Sequence, residues 1–312
     1  MLTRRVVWGA CASFVLLPAA AFGQQAKLPV VVSFSILADI VAAIGGERIA
    51  LTTLVPPGGD SHVYAPTPAD AKTVAEAKLV VMNGLKFEGW MKRLVQSSGS
   101  KATIVEAATG VKPRVQKDDH GHGHGQNDKH GHNHGGLDPH AWQSVANVKI
   151  YSTVIRDALV AADPAGKALF DANAVKYLAE LDAVDNEIKA IVARIPADRR
   201  KVITSHDAFG YFADAYGLVF IAPRGVSTEA EASAKDVARL IQQIRKEKVP
   251  AVFMENISDQ RLIQQIAKES GAKVGGTLFS DSLSKNDGPA PTYIRMMRHN
   301  IKTISEALLP TS

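Results

Sequence analysis

Chemistry in this chain is concentrated in its ten histidines. Six of them, His120, His122, His124, His130, His132 and His134, stand among glycines and polar residues in the stretch 118–136. That stretch has almost no apolar side chain to bury, so its composition predicts a disordered loop. Neutral imidazoles at such density hold borderline metals such as Zn or Cu, which makes the loop a metal collector. A solvated linker that meets metal only incidentally has the same composition. His140 is of a different kind, standing outside the glycine alternation in LDPH, just before Ala141-Trp142. It reads as a ligand of one fixed site.

Thiolates are not expected to take part. Arg4 and Arg5 precede an apolar run at 6–17, and Ala21-Phe22-Gly23 offers a small-x-small cleavage site, the pattern of a secretory leader over 1–23. The run is too short to span a bilayer. Cys11, the single cysteine, lies inside it with more apolar sequence following, so it is expected to leave with the leader rather than to carry lipid. The mature chain would then have neither a disulfide nor a thiolate site, although export takes it to a compartment that allows disulfides. A metal site must be built from His, Asp and Glu. Without Arg4 and Arg5 the formal charge of +5 falls to +3, too small and too evenly spread to suggest nucleic acid.

With 312 residues, 46% hydrophobic and 21% charged, the chain can bury a full core and form two compact units. Short β-branched runs at 30–34, 51–55, 79–82 and 103–105 read as strands, with helical spacing at 37–44, 68–77 and 87–97 between them. After Pro196 the alternation resumes, with strands at 201–205, 219–222, 251–254 and 273–278 and helices at 209–216, 234–247 and 259–270. This order implies two similar α/β lobes with mainly parallel sheets, 24–162 and 197–312. One weak echo supports the repeat: Ser33 and Ser205 each end a strand, and each is followed twelve residues later by glycine, Gly45 and Gly217. Between the lobes, apolar residues from Leu178 through Leu181, Val184, Ile188 and Ile191 to Ile195 recur three or four apart. They predict one long helix within 163–196, with Asp163 as N-cap and Pro164 in the first turn. It is either an ordinary surface helix or a rigid bridge between the lobes.

Open α/β sheets bind ligands beyond the carboxyl ends of their strands. His62 follows the 51–55 strand, His206 follows Ser205, Asp281 follows the last strand, and His140 follows the histidine-rich stretch. Each taken singly has an ordinary reading, a surface histidine or a turn aspartate. Together, three imidazoles and one carboxylate suit tetrahedral Zn2+ better than Ca2+ or Mg2+, and leave no open position for a reacting water.

Several longer runs then carry a resemblance. LVPPGGDSHVYAPTP at 54–68, NGLKFEGW at 83–90, DPHAW at 138–142, SHDAFGYF at 205–212, EAS at 231–233, FME at 253–255 and YIRMMRHN at 293–300 occur in one order over nearly the whole mature chain. In these the chain resembles the zinc and manganese subgroup of ABC-transporter solute-binding proteins. The resemblance implies two α/β lobes bridged by a rigid helix, with one metal held between them by His62, His140, His206 and Asp281 for delivery to a membrane permease. It implies a periplasmic binding protein rather than an enzyme; the chain is expected to be a monomer, and the histidine-rich insert to act as a scavenger that feeds the cleft or as a docking surface for a periplasmic zinc metallochaperone. His206 stands where manganese-type members place a carboxylate, and the histidine-rich insert is like that of zinc-type members. Departures are Ser61 in place of proline, Ala65 in place of glutamate, and Gln143-Ser144 after the tryptophan. Without a glutamate at 65, the carboxylates left to orient the imidazoles are Asp60, Asp138, Asp207 and Glu255. Trp90 and Trp142 either wall the cleft or fill the core, and His299 reads as a structural histidine. The alternatives are manganese or iron as cargo, or a periplasmic zinc hydrolase with Glu255 or Asp207 as its base.

Overall fold

The structure, a computed structural model, describes residues 26–115 and 136–310. The expected leader and the six clustered histidines lie outside the described residues. The first lobe contains β1 (Leu28–Phe34), α1 (Ser35–Gly45), β2 (Ile49–Val55), α2 (Pro68–Glu76), β3 (Leu79–Met82), α3 (Met91–Ser98) and β4 (Thr103–Glu106). Its four strands are parallel in the order β2-β1-β3-β4. The central strand β1 is buried from Val30 onward, as a parallel strand covered on both faces must be. Ile36, Leu37, Ile40, Val41 and Ile44 form the buried stripe of α1, and Gly46, at φ +55°, ends it. A capping box of Thr67 and Asp70, with Pro68 in the first turn, starts α2.

The helix expected at 87–97 begins only at Met91. Gly84, Leu85 and Lys86 all have positive φ, at 85°, 53° and 66°, a left-handed path that no helix accepts. After the first lobe's sheet comes a two-stranded antiparallel ribbon of β5 (Arg114–Val115) and β6 (Leu137–Asp138).

Two long helices follow, α4 (Val145–Ala162) and α5 (Lys167–Ala193). The first has a buried stripe of Val148, Tyr151, Ile155 and Leu159, a helical spacing that the reading of the sequence did not use. The second starts three residues later than expected, because 164–166 is a 3-10 turn and Asp163 gives it no side-chain cap. Asp163 instead takes both Arg48 Nε, at 2.7 Å, and Arg48 Nη2, at 2.9 Å. At 27 residues, α5 is about 40 Å long. It packs on α1 and α4 at one end, and its buried face from Phe170 to Val192 continues into the second lobe. The long helix is therefore the bridge.

The second lobe has β7 (Lys201–Ile203), α6 (Gly210–Tyr216), β8 (Val219–Ile221), α7 (Ala234–Glu247), β9 (Ala251–Glu255), α8 (Gln260–Ser270), β10 (Lys273–Leu278) and α9 (Tyr293–Leu308). Its parallel order β10-β9-β7-β8, read from the other edge, repeats the second-first-third-fourth order of the first lobe. One hydrophobic cluster runs from the first lobe through α4, α5 and α9 into the second. A smaller cluster, including Leu240, Ile244, Val252 and Ile263, lies beneath α7 and α8. The continuous cluster makes the inter-lobe seam part of a packed core rather than a wet hinge.

Candidate metal centre

Four loops at the carboxyl ends of the strands bring His62, His140, His206 and Asp281 together, two from each lobe. The Pro56-Pro57-Gly58-Gly59 turn after β2 carries His62. Gly58 takes φ +83° there, and Gly59 N–H donates to Pro56 O at 2.9 Å. Asp60 then accepts from the His62 backbone N–H (2.9 Å) and, through its other oxygen, from Thr228 Oγ1 of the second lobe (2.6 Å). It holds the loop rather than the imidazole.

His140 lies just after β6, and its Nδ1 and backbone N–H both face Asp138 Oδ1, at 2.9 and 3.0 Å. The other Asp138 oxygen accepts from Arg114 Nη1 at 3.2 Å, while Arg114 Nε donates to Asp214 of α6 at 3.1 Å. Gly210 leaves the room for this pair, since a Cβ there would fall on the Arg114 guanidinium and 2.6 Å from Asp138 Oδ2. His206 follows β7 and has Glu255 Oε2 2.6 Å from its Nδ1. Glu255 Oε1 accepts from Ser205 N–H, Ser205 Oγ and His206 N–H at 2.8, 2.6 and 2.9 Å. Asp138 and Glu255 thus supply the orienting contacts expected of a carboxylate behind a metal-binding imidazole. Asp207, another candidate for that part, bears instead on Arg114, whose charge it helps to hold.

At the centre, Asp281 Oδ2 lies 3.1 Å from both His62 Nε2 and His206 Nε2, and Oδ1 lies 3.4 Å from His140 Nε2. Donors held at zinc distances on tetrahedral corners are roughly 3.4 Å apart; the contacts to Asp281 are close to that length, and all four donor atoms lie within 4.8 Å of one another. His140, His206 and Asp281 are fully buried, and the His62 side chain is 5% exposed. Among the described residues, His140 Nε2 and Asp281 Oδ1 have no hydrogen-bond partner. Buried polar atoms are rarely left so, and with both Nδ1 atoms turned to carboxylates the Nε2 atoms are the ones free to bind a cation.

Electrostatics agree with that assignment. Burial pulls the His140 imidazolium pKa down, but Asp281 and Asp138 outweigh it and raise the value to about 9. His206, buried likewise, is raised well above its usual range by Glu255 and Asp281. Burial pushes Asp281 up, yet the two imidazoles hold it well below the usual carboxylate range. The metal-free site therefore keeps positive charge around Asp281, and a divalent cation would take the place of those protons.

Reading the sequence missed several supports. Phe87, 3% exposed, packs edge-on against His62 and His140 with ring centroids 4.8 and 6.0 Å apart; it lies within the NGLKFEGW run. Gln143, noted only as a departure, donates with Trp142 Nε1 to Ser280 O at 2.7 and 2.9 Å, fixing the residue before Asp281. Trp142 both walls the site, 5.2 Å from His140, and fills the core. Trp90 donates to Ser61 O at 2.8 Å, beside His62. His299 stands apart, with Nε2 3.0 Å from Thr277 O.

Residues 30–307 match the family described as zinc-uptake complex component A, periplasmic. The chain is 34% identical over 281 residues to the manganese-binding lipoprotein of Halalkalibacterium halodurans, covering 90% of this chain and 88% of that protein. It is equally 34% identical over 280 residues to the iron-binding protein of Yersinia pestis, covering 90% and 86%. Among solved structures, the periplasmic zinc binding protein of Treponema pallidum superposes with a TM-score of 0.82 at 29% identity, covering 91% of this chain and all of that one. The Mn-bound periplasmic metal binding protein of Candidatus Liberibacter asiaticus gives 0.79 at 30% identity with the same coverage. A paired-lobe fold with a helical bridge, a buried His3Asp cluster between the lobes and a match over most of the chain agree: this chain belongs to the zinc-uptake component A family of periplasmic metal-binding proteins, the substrate-binding components of ABC transporters.

Proposed function

We propose that this protein captures Zn2+ between its lobes through His62, His140, His206 and Asp281 and delivers it to the membrane permease of an ABC importer. The observation that carries the choice of metal is the donor set: three imidazoles and one carboxylate whose donor atoms lie within 4.8 Å of one another, with His206 as the third imidazole. A binding role rather than hydrolysis is supported by Glu255. Its Oε1 accepts from Ser205 and the His206 backbone and its Oε2 faces His206 Nδ1 at 2.6 Å, which favours orienting that imidazole over acting as a general base for a metal-bound water. The chain works as a monomer exported to the periplasm behind a cleavable leader. The histidine-rich segment 118–136 gathers zinc for the cleft and offers a docking point for a metallochaperone.

Competition binding of Zn2+ against Mn2+ and Fe2+ tests this reading. One zinc should bind tightly and in preference to the other two. His140→Ala should abolish that site, whereas deletion of 118–136 should slow loading at limiting zinc and leave the tight site in place. Tighter Mn2+ than Zn2+ would overturn the choice of metal. Manganese or iron is the second reading, because both Asp281 oxygens face the centre and a bidentate carboxylate would add a fifth donor. The manganese- and iron-binding names of the two relatives also favour it.

A further inference from the structure

The turn between β3 and α3 is built at a cost that its position in the lobe does not explain. Three successive residues, Gly84, Leu85 and Lys86, have positive φ, and for leucine and lysine that backbone is strained. Such strain persists only where the surroundings hold it, and here both ends are clamped. Asn83 Nδ2 donates to Gly84 O at 3.0 Å and to Pro139 O at 2.9 Å, next to His140, while Tyr151 OH donates to Asn83 Oδ1. The fully buried Glu88 accepts from Asn83 N–H at 2.6 Å, Gly84 N–H at 3.3 Å and Ser33 Oγ at 2.6 Å. At Gly84, φ +85° strains any side chain, and a Cβ there would also press on the Glu106 side chain, 3.1 Å from its Cβ.

What the clamped turn presents is Phe87. Its ring meets His62 at 82° and His140 at 66°, and it is backed by Trp142 and Phe34 at 4.8 and 5.1 Å. It covers the edge of the centre between the two imidazoles of the first lobe with carbon. Water entering there to become an additional ligand would have to displace the ring. Zinc is satisfied by four donors, whereas manganese favours six-coordinate, oxygen-rich surroundings.

We propose that Phe87 is a specificity-determining residue: held by the strained turn, it bars water from the coordination sphere and so disfavours metals that need more than the four protein ligands. This rests on the reading that His62, His140, His206 and Asp281 hold the metal, and it extends that reading from donors to coordination number.

The test uses the mature protein and Phe87→Leu, Phe87→Val and Phe87→Ala, with far-ultraviolet circular dichroism and metal-free melting to show that each is folded. Water-proton relaxation of the Mn2+-loaded proteins reports water on the metal, and the visible bands of the Co2+-loaded proteins report coordination number. The expected result is a graded rise in relaxation and loss of Co2+ band intensity from Leu to Val to Ala, with the Zn2+-to-Mn2+ affinity ratio falling about tenfold in the smallest folded variant. Phe87→Leu, which keeps an apolar wall, should stay near wild type. Wild-type relaxation and Co2+ bands in folded Phe87→Val or Phe87→Ala would overturn the proposal. A wild-type preference for Mn2+ would instead defeat the zinc reading, and the change in bound water across the variants would still decide the part played by Phe87.

Discussion

Each lobe buries a serine at the end of its first strand against a buried glutamate, yet the two pairs have come to different ends. In the first lobe Ser33 Oγ donates to Glu88 at 2.6 Å; in the second, Ser205 Oγ donates to Glu255 at the same distance. The residue after the serine separates them. It is Phe34 in one lobe and His206 in the other. His206 gives Glu255 an imidazole to orient, and although burial pushes this carboxyl up, His206 holds it below its usual range. Glu88 meets backbone and hydroxyl donors only, and burial wins, raising it to about 7. One frame therefore serves two ends: a charged carboxylate that aims a ligand, and a carboxyl that braces the turn presenting Phe87. The fold repeats the pocket, and a single position decides its chemistry.

The largest difference between the lobes should appear on removing each glutamate's charge. Glu255→Gln should cost about 10- to 100-fold in metal affinity, because it takes the acceptor from behind His206, whereas Glu88→Gln should leave affinity within about threefold. Titration against a chromophoric chelator measures both, and equal losses would break the comparison.

Next in size is the pH response of the site itself. His140, raised to about 9, and His206, raised well above its usual range by Glu255 and Asp281, hold protons at neutral pH that the metal must displace. Apparent zinc affinity should thus fall about tenfold per pH unit for each proton displaced, and more than one proton should be released at pH 7. Calorimetry in buffers of different ionisation enthalpy counts those protons. In the metal-free protein the sign reverses: a raised imidazole contributes its stability fully below about 6.5. That contribution is lost as pH climbs through about 9, so the metal-free melting temperature should drop over this range while the zinc-bound one does not.

Glu88 should act on stability and leave metal affinity nearly unchanged. Its folded pKa of about 7 lies above the ordinary 4.5, so its contribution is complete below 4.5 and disappears as pH rises through 7, a change on the order of 3 kcal/mol. Urea unfolding of the metal-free protein from pH 4.5 to 8 should show that slope, and Glu88→Gln should remove it. An unchanged slope would place the titration elsewhere.

Much of this architecture is written locally. The valines at 30–32 and the stripe from Ile36 to Ile44 announce β1 and α1 because burial selects for apolar residues at strand and helix spacing. What local pattern did not show was decided by distant partners. Asp163 reads as an N-cap, but Arg48, 115 positions away, claims it. The 87–97 stretch reads as helix, but it follows the left-handed path of Gly84, Leu85 and Lys86, Glu88 is drawn back onto the Asn83 and Gly84 N–H groups, and the helix starts only at Met91. Helix α4 was legible in Val148, Tyr151, Ile155 and Leu159 and was passed over. At the site, the positions of His62, His140, His206 and Asp281 past strand ends singled them out as candidates, and the resemblance joined them into one ligand set. Which acids stand behind them was not legible, since Asp60, Asp138, Asp207 and Glu255 all follow or precede a strand end in the same way. Only the packed loops send Asp138 and Glu255 to imidazoles, Asp60 to a backbone N–H and Thr228, and Asp207 to bear on Arg114.

By itself, then, the sequence determined the alternation of strands and helices, the presence of a long helix before Pro196 and the residue types available to a metal, because these depend on side-chain period and chemistry along the chain. Tertiary structure decided that two donors from each lobe share one buried centre, that Asp138 and Glu255 charge it, and that Phe87 closes its edge. Those outcomes depend on distances between residues as far apart as His62 and Asp281, 219 positions in sequence and 3.1 Å in space, which no local pattern encodes.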